Sequence, residues 1–163
     1  MLTPAVNKAL NEQMNAEFYS AWLYLSMAAW CLEQNWNGFA HWLGLQSKEE
    51  EEHGLKILRY IDDRQGKIQL GEIAAPNNDW VSLQTVFEAA FAHEQEVTKN
   101  ISLLVDLAAS EHDHGTVVFL DWFVLEQIEE EKQTDDIVRH LVAFAGKQGP
   151  TLLLDSELAK RAE

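Results

Sequence analysis

Hydrophobic positions along this chain repeat at alternating three- and four-residue steps in four long segments, which is the spacing of one buried face of an α-helix. The segments run from Thr3 or Pro4 to Gln34, from Asn35–Asn37 to Gly66, from a Ser82 cap to about Ser110, and from the turn EHDHG to Gly146. The pattern therefore predicts an all-α fold.

The connections between these segments predict how the helices are arranged. Helices one and two, and helices three and four, are separated by only a few residues, so each pair should form an antiparallel hairpin. The middle connection, GKIQLGEIAAPNNDW, is long enough to cross the length of a bundle. We therefore expect one domain, residues 1–163, with a four-helix bundle over residues 1–146. Gly149-Pro150 should separate a short fifth helix at residues 150–161.

Each of the four apolar stripes is interrupted near its middle by polar residues at matching heights. The interruptions are Glu17 on helix one, Glu50 and His53 on helix two, Glu94 on helix three, and Gln127 and Glu130 on helix four. Glu17 and Glu50 are 33 residues apart, and so are Glu94 and Gln127. Two hairpins related by an approximate two-fold axis would bring all of these groups to the same depth.

Carboxylates in an apolar core need compensation, because burying an unpaired charge costs several kcal/mol or more. They must be protonated, pair with buried lysine or arginine, or surround cations. The stripes contain no lysine or arginine. Taken alone, each inward glutamate is better explained by a water-filled or salt-bridged pocket. The complete set with His53 favours bound cations.

The types of side chain narrow the choice of metal. Glu50 and His53 are three residues apart and so project from one face of helix two. Carboxylates with one imidazole suit iron, manganese or zinc, and the histidine argues against a pure calcium or magnesium site. Glu50 lies between the other groups and could bridge two metal ions.

These residues resemble the ferritin-like di-iron bundles, in which two helices each supply a glutamate and the others supply Glu-x-x-His. Glu17, Glu50-x-x-His53 and Glu94 match that pattern. Gln127-x-x-Glu130 replaces the second Glu-x-x-His, which is similar to the bacterial non-haem ferritins. The resemblance covers essentially the whole chain, through NEQMNAEFYSAWLYL, the EEEEH run, AHEQE, FLDWFVLEQIEEEK, the long crossover and the short last helix.

The resemblance implies an iron-storage ferroxidase that oxidises Fe(II) with O₂ or H₂O₂ and stores Fe(III) mineral inside a cage of 24 identical chains. It assigns a first iron to Glu17, Glu50 and His53, and a second to Glu50, Glu94 and Glu130, with Gln127 alongside. It assigns a third iron to Glu49, Glu126, Glu129 and Glu130. Tyr24 and Trp122 become candidate electron donors. No haem is expected, because helix two has no methionine at Glu52 or its neighbours.

Several of these positions also have a simpler interpretation. Glu126 and Glu129 could be surface charges, and Tyr24 and Trp122 could be packing residues. Glu51 and Glu52 should face solvent or the cage interior. The polar turn at His112, Asp113 and His114 is better explained by solvation than by metal binding.

Composition limits the remaining functions. The formal net charge of −15 argues against nucleic acid as a partner. The single cysteine, Cys31, excludes an internal disulfide framework and a four-cysteine metal site. The sequence contains no 18-residue apolar run and no basic segment followed by an apolar core at its start. No membrane association and a cytoplasmic location are expected.

Two other functions remain open. One is a discrete di-iron oxidase or peroxide scavenger without storage, and the other is a bundle that buffers metal without catalysis. A DNA-protecting mini-ferritin is disfavoured, because its metal sites lie between subunits and no basic tail is present here.

Overall fold

The computed structural model describes residues 1–162, in which every regular element is an α-helix. The helices are α1 (Pro4–Glu33), α2 (Asn37–Asp63), α3 (Leu83–Ser110), α4 (His114–Ala143) and α5 (Gln148–Leu158). Helices α1 and α2 pack together, as do α3 and α4. The predicted all-α bundle with two hairpins is confirmed.

Local sequence signals account for the helix starts. The Thr3 hydroxyl accepts a hydrogen bond from Val6 N at 3.3 Å, and Pro4 occupies the first turn, where its missing N–H has no cost. Ser82 forms a reciprocal capping box with Thr85 at the start of α3, as predicted.

Left-handed residues make the two hairpin turns short. Asn35 has φ 62° between α1 and α2, and His112 has φ 57° between α3 and α4. Both residue types tolerate this conformation better than bulky or β-branched residues do. Each turn therefore reverses the chain within three residues.

The crossover, residues 64–82, is held against α1 by a ladder of asparagine side chains. Asn7 donates to Lys67 O at 3.2 Å and accepts from Lys67 N at 3.0 Å. Asn11 donates to Lys67 O at 2.8 Å and accepts from Gln69 N at 2.6 Å. One helical turn later, Asn15 pairs with Gln69 O and Gly71 N at 2.9 and 2.7 Å. These bonds satisfy a backbone that has no sheet or helix partner.

Helix α5 begins earlier than its sequence suggested. We predicted a start at residue 150, after Gly149-Pro150, but the helix begins at Gln148 and ends at Leu158 rather than 161. Gly149-Pro150 is therefore not a separator; it forms the first turn of α5, where proline is tolerated. The break after α4 lies instead at residues 144–147 and includes Gly146 at φ 74°.

The bundle core consists of two apolar clusters at opposite ends, with polar side chains between them. One cluster contains Tyr24, Met27, Cys31, Phe39, Leu43, Phe87, Ile137 and Leu141. The other contains Leu10, Met14, Ile57, Ile61, Val97, Ile101, Leu104, Leu120 and Phe123. Chain order shows that the inward glutamates lie between these clusters on every helix.

Candidate metal centre

All six predicted inward residues are buried. Their exposed fractions are at most 6%, for Glu17, Glu50, His53, Glu94, Gln127 and Glu130. No lysine or arginine is among the buried residues of the described chain. The carboxylates therefore have no buried cationic side chain to neutralise them.

Glu17, Glu50 and His53 form the tightest group in this layer. Each offers a ligand atom, and these atoms all lie within 4.8 Å of one another. Within residues 1–162, no other set of three or more His, Cys, Asp or Glu side chains meets that criterion. His53 Nδ1 lies 3.4 Å from Glu50 Oε2. A single cation could therefore contact all three side chains.

One oxygen of this group lacks a partner. Glu17 Oε1 accepts a 2.8 Å hydrogen bond from Gln13 Nε2, but Glu17 Oε2 is buried with no hydrogen-bond partner among the described residues. An unsatisfied buried acceptor costs about 1–3 kcal/mol. It points to a cation as the missing partner.

Glu94 is held from two sides on α3. The Tyr24 hydroxyl donates a hydrogen bond to Glu94 Oε1. Gln127 Nε2 donates to Glu94 Oε2 at 3.1 Å and to the Glu94 carbonyl oxygen at 3.3 Å. Tyr24 thus lies in contact with a predicted ligand, which is more than packing requires.

Glu130 is hydrogen-bonded to Gln46, which in turn is hydrogen-bonded to Arg161; the sequence analysis assigned neither Gln46 nor Arg161 to the site. Gln46 Nε2 donates to Glu130 Oε2, and Gln46 is itself fully buried. The Gln46 Oε1 atom accepts a 2.8 Å hydrogen bond from Arg161 Nη1. Arg161 also pairs with Glu49 Oε2 at 2.6 Å through Nη2.

Burial shifts the pKa values of the site toward neutral side chains. It raises the pKa of Glu17 to about 7 and, with the nearby Glu94 and Glu49 charges, that of Glu130 to about 8. Burial also raises the pKa of Glu50 well above its usual value and raises that of Glu94. It lowers the pKa of His53 to about 4, with Lys56 adding to the shift. Neutral His53 is the form that binds metals.

Trp122 lies against His53 and Lys56. Its ring meets that of His53 edge-on at 5.2 Å, and the Lys56 ammonium sits 3.2 Å from its centroid. A cavity of about 700 Å³ opens beside these residues and is also lined by Glu49, Glu52 and Glu126. His53 lines this cavity as well, so the cavity adjoins the buried layer.

The residues predicted to bind a third iron lie near one another but do not form a compact group. Burial, Glu129 and Glu49 together raise the pKa of Glu126, so the three charges are near one another. Glu49 is paired with Arg161, however, and exposed Glu129 accepts a 2.8 Å hydrogen bond from Gln133. The third site stays a prediction. Glu51 and Glu52 are exposed, as predicted.

The polar turn before α4 has a structural role. Asp113 caps the helix by accepting from Thr116 N at 3.1 Å and pairs with Arg64 at 3.0 Å. These contacts explain Asp113 without a metal ion.

Sequence reasoning missed Gln13, Gln46 and Arg161. The two glutamines had a signal, because each precedes an inward glutamate by four residues and so lies one turn away on the same face. Arg161 had none, because its contact with the site depends on how α5 docks.

The donor set fits iron. Carboxylate oxygens dominate, one neutral imidazole joins them, and the single cysteine, Cys31, is buried in an apolar cluster. Hard oxygen ligands with one nitrogen suit Fe(II) and Fe(III), manganese or zinc. The fold and site together define a four-helix bundle with a buried carboxylate–histidine group that could hold a metal ion.

Comparison with known proteins supports the class of protein that the fold and site indicate. Residues 7–143 match the family model of the ferritin-like domain. Bacterial non-heme ferritins from Staphylococcus aureus and Staphylococcus saprophyticus are 36% and 40% identical, each over 99% of this chain and 97% of the relative. The chain belongs to the ferritin-like family.

Solved structures agree closely as well. An open pore ferritin from the hyperthermophilic archaeon Archaeoglobus fulgidus superimposes with a TM-score of 0.98 at 39% identity, covering 99% of this chain and 98% of that one. An engineered closed form of the same archaeal ferritin superimposes equally well, over 99% of both chains. The resemblance to bacterial non-haem ferritins is confirmed. Among residues 1–162, no helix is long and apolar enough to cross a membrane.

Proposed function

We propose that this chain is an iron-storage ferritin that oxidises Fe(II) at a centre inside each four-helix bundle. The observation that carries the proposal is the group formed by Glu17, Glu50 and His53, whose ligand atoms lie within 4.8 Å of one another. This group is buried beside two more carboxylates and no buried lysine or arginine. In its ionised state the site therefore needs cations to neutralise it.

The side chains divide into two sets around Glu50. Glu17, Glu50 and His53 would bind one Fe(II), and Glu50, Glu94 and Glu130 would bind the second. Bound Fe(II) would supply the electrons. Two Fe(II) would be oxidised to Fe(III) while one O₂ is reduced and takes up two protons to give H₂O₂, or while one H₂O₂ is reduced and takes up two protons to give two water molecules. Carboxylates compensate the higher charge of Fe(III) and so favour oxidation.

The remaining residues orient the ligands. Gln13 holds one Glu17 oxygen at 2.8 Å and leaves Oε2 available, while Gln127 and Tyr24 hold Glu94. Metal binding requires ionised carboxylates, whereas burial raises the pKa values of Glu17 and Glu50. We expect protons to be released from these carboxyl groups as the first Fe(II) binds.

The direct test is rapid-mixing absorbance after Fe(II) is added aerobically to metal-free protein, with Glu50→Ala beside wild type. We expect fast oxidation that saturates at about two to three Fe(II) per chain and is lost in the variant. Glu51→Ala is the matched control, because the neighbouring Glu51 carries the same charge on the same helix but is exposed. Oxidation no faster than in buffer would refute the enzymatic part of the proposal.

Storage requires assembly, and we propose the hollow cage of 24 chains that the family resemblance implies. Large apolar side chains remain exposed on the single bundle, among them Trp22, Leu32, Leu125 and Ile128. Such residues are typical of subunit contacts. Light scattering should give a particle of about 450 kDa from the 18.6 kDa chain.

The same two measurements separate the alternatives. A discrete di-iron oxidase or peroxide scavenger would oxidise Fe(II) as a small particle. A metal-buffering bundle would bind Fe(II) without accelerating its oxidation.

A further inference from the structure

Helix α5 reaches the buried metal layer through one continuous set of hydrogen bonds. Arg161, just after α5, donates from Nη1 to Gln46 Oε1 at 2.8 Å, and Gln46 Nε2 donates to Glu130 Oε2. Gln46 is fully buried and Glu130 is 2% exposed.

The direction of this relay is fixed by chemistry. A guanidinium has only donors, so the Gln46 atom that faces Arg161 must be the oxygen. The other Gln46 atom is then the NH₂ group, which must donate to Glu130. Without Arg161, the Gln46 amide loses one of the two partners that select this orientation over the flipped one; the other is the Glu130 carboxylate itself. A flipped amide would present its oxygen to the Glu130 carboxylate.

Arg161 is itself held in place on several sides. Its Nη2 pairs with Glu49 at 2.6 Å, and its guanidinium carbon lies 4.8 Å from the centroid of the Trp42 ring. Its backbone carbonyl lies 2.9 Å from His41 Nε2. The Arg161 side chain is 19% exposed. These contacts hold both Nη groups of the guanidinium in place. A lysine could not reproduce this arrangement, because it presents a single point charge.

We propose that Arg161 is a positioning residue for the second metal of the centre, acting through the Gln46 amide on Glu130. This proposal rests on the proposed iron centre, because it requires Glu130 to be a ligand. The Gln46 NH₂ group is hydrogen-bonded to Glu130 Oε2, which leaves the other carboxylate oxygen, Oε1, to bind the metal. The first metal, at Glu17, Glu50 and His53, does not depend on this relay.

The test is anaerobic titration calorimetry of Zn(II) into the assembled, metal-free protein. Zn(II) does not change oxidation state, so binding is measured apart from activity. We expect about two tight equivalents per wild-type chain. In Arg161→Gln the second equivalent should bind about tenfold more weakly, as expected for a lost charge-assisted hydrogen bond, while the first is unchanged. Arg161→Lys should recover only part of the loss.

Two further variants distinguish the relay from charge or folding effects. Lys160→Gln removes the same charge one residue earlier, where the side chain is exposed and pairs with Glu157, and it should leave both equivalents unchanged. Gln46→Met removes the relay itself. In the Gln46→Met background, Arg161→Gln should have no additional effect on the second equivalent.

The outcomes separate this proposal from the proposed function. Normal binding of both equivalents in Arg161→Gln, or additive effects of the two substitutions, would overturn the role of Arg161 and leave the metal centre intact. Equal weakening of both equivalents would also overturn it, because the relay touches only the second. Wild-type protein that binds no Zn(II) would overturn both proposals.

Discussion

The Asp155 carboxylate on α5 accepts hydrogen bonds from Gly38 N at 2.8 Å and from Phe39 N at 3.0 Å, two amides in the first turn of α2 that have no partner within the helix. The N-cap residue of α2, Trp36, makes no side-chain cap. Asp155 therefore supplies from a distant helix what the local sequence lacks. The same contact docks α5 on the bundle.

Asp155→Ala should destabilise the protein by about 1 kcal/mol. The α2 amides lose their hydrogen-bond acceptor, and the favourable interaction between the carboxylate and the positive end of the α2 dipole is lost. Thermal unfolding measures the change. Asp155→Asn keeps an acceptor oxygen and should lose much less. Equal losses in both variants would show that the negative charge, rather than the capping geometry, provides the stability.

Gly38→Ala should also destabilise the protein, since a Cβ at residue 38 would lie 1.7 Å from the Asp155 carbonyl oxygen. The contact is with backbone, so α5 would have to shift. Gly44 offers a matched control on the same helix, because its Cβ would meet nothing within 4 Å. Gly44→Ala should stabilise α2 by about 0.5–1 kcal/mol, in the opposite direction, and both effects are measured by chemical denaturation.

Tyr24→Phe tests the contact with Glu94. We expect slower Fe(II) oxidation with unchanged Zn(II) stoichiometry, because the hydroxyl leaves while the ring and the ligands stay. Tyr19→Phe is the control. Tyr19 lies on α1, as Tyr24 does, and both rings contact the His93 ring edge-on. Equal rates for Tyr24→Phe and wild type would leave Tyr24 as a packing residue only.

The stability of metal-free protein should fall as pH rises from 6.5 to 8. The pKa values of Glu17 and Glu130 are raised to about 7 and about 8, so the folded protein holds protons that the unfolded chain releases above about 4.5. Unfolding is then favoured as pH rises, by up to about 1.4 kcal/mol per pH unit for each proton. Denaturation midpoints measured with a chelator at several pH values give this slope.

The buried histidines weaken this slope at its lower end but do not reverse it. The pKa values of His53 and His93 are lowered from 6.5, so their contribution to stability rises with pH and levels off about one unit above 6.5, when the histidines of the unfolded chain have also lost their protons. Glu17→Gln should flatten the slope, because it removes one titrating carboxyl. Bound Zn(II) should abolish it. Stability that is constant or rises between pH 6.5 and 8 would contradict the assignment of buried protons to this site.

Most of the fold and the inner layer could be predicted because they follow local periodicity. Glu94 and Gln127 lie on apolar stripes whose spacing fixes the buried face of each helix, and both are buried as expected. The Ser82 cap at the start of α3 could also be predicted from the sequence, because capping depends on residues that are neighbours along the chain. These features require only the geometry of a single helix.

What the sequence could not provide depends on contacts between distant elements. The start of α5 at Gln148 was missed because Pro150 suits a first turn as well as a break. Arg161 was missed because no period relates a residue after α5 to Glu130. Asp155 was missed for the same reason, since its partners are 117 and 116 residues away.

The asparagine ladder divides the crossover into two parts with different freedom to change. Each rung pairs four residues of α1, about 6.0 Å, with two extended residues, about 6.6 Å, so the two repeats match over only a few steps. Beyond Gly71 the next side-chain hydrogen bond from α1 joins Ser26 to Asn77 O. One residue inserted between Lys67 and Gly71 would put every following amide out of phase with its asparagine. The same insertion between Gly71 and Asn77 would disturb no asparagine hydrogen bond. Natural length variation in this connection should therefore be confined to its second half.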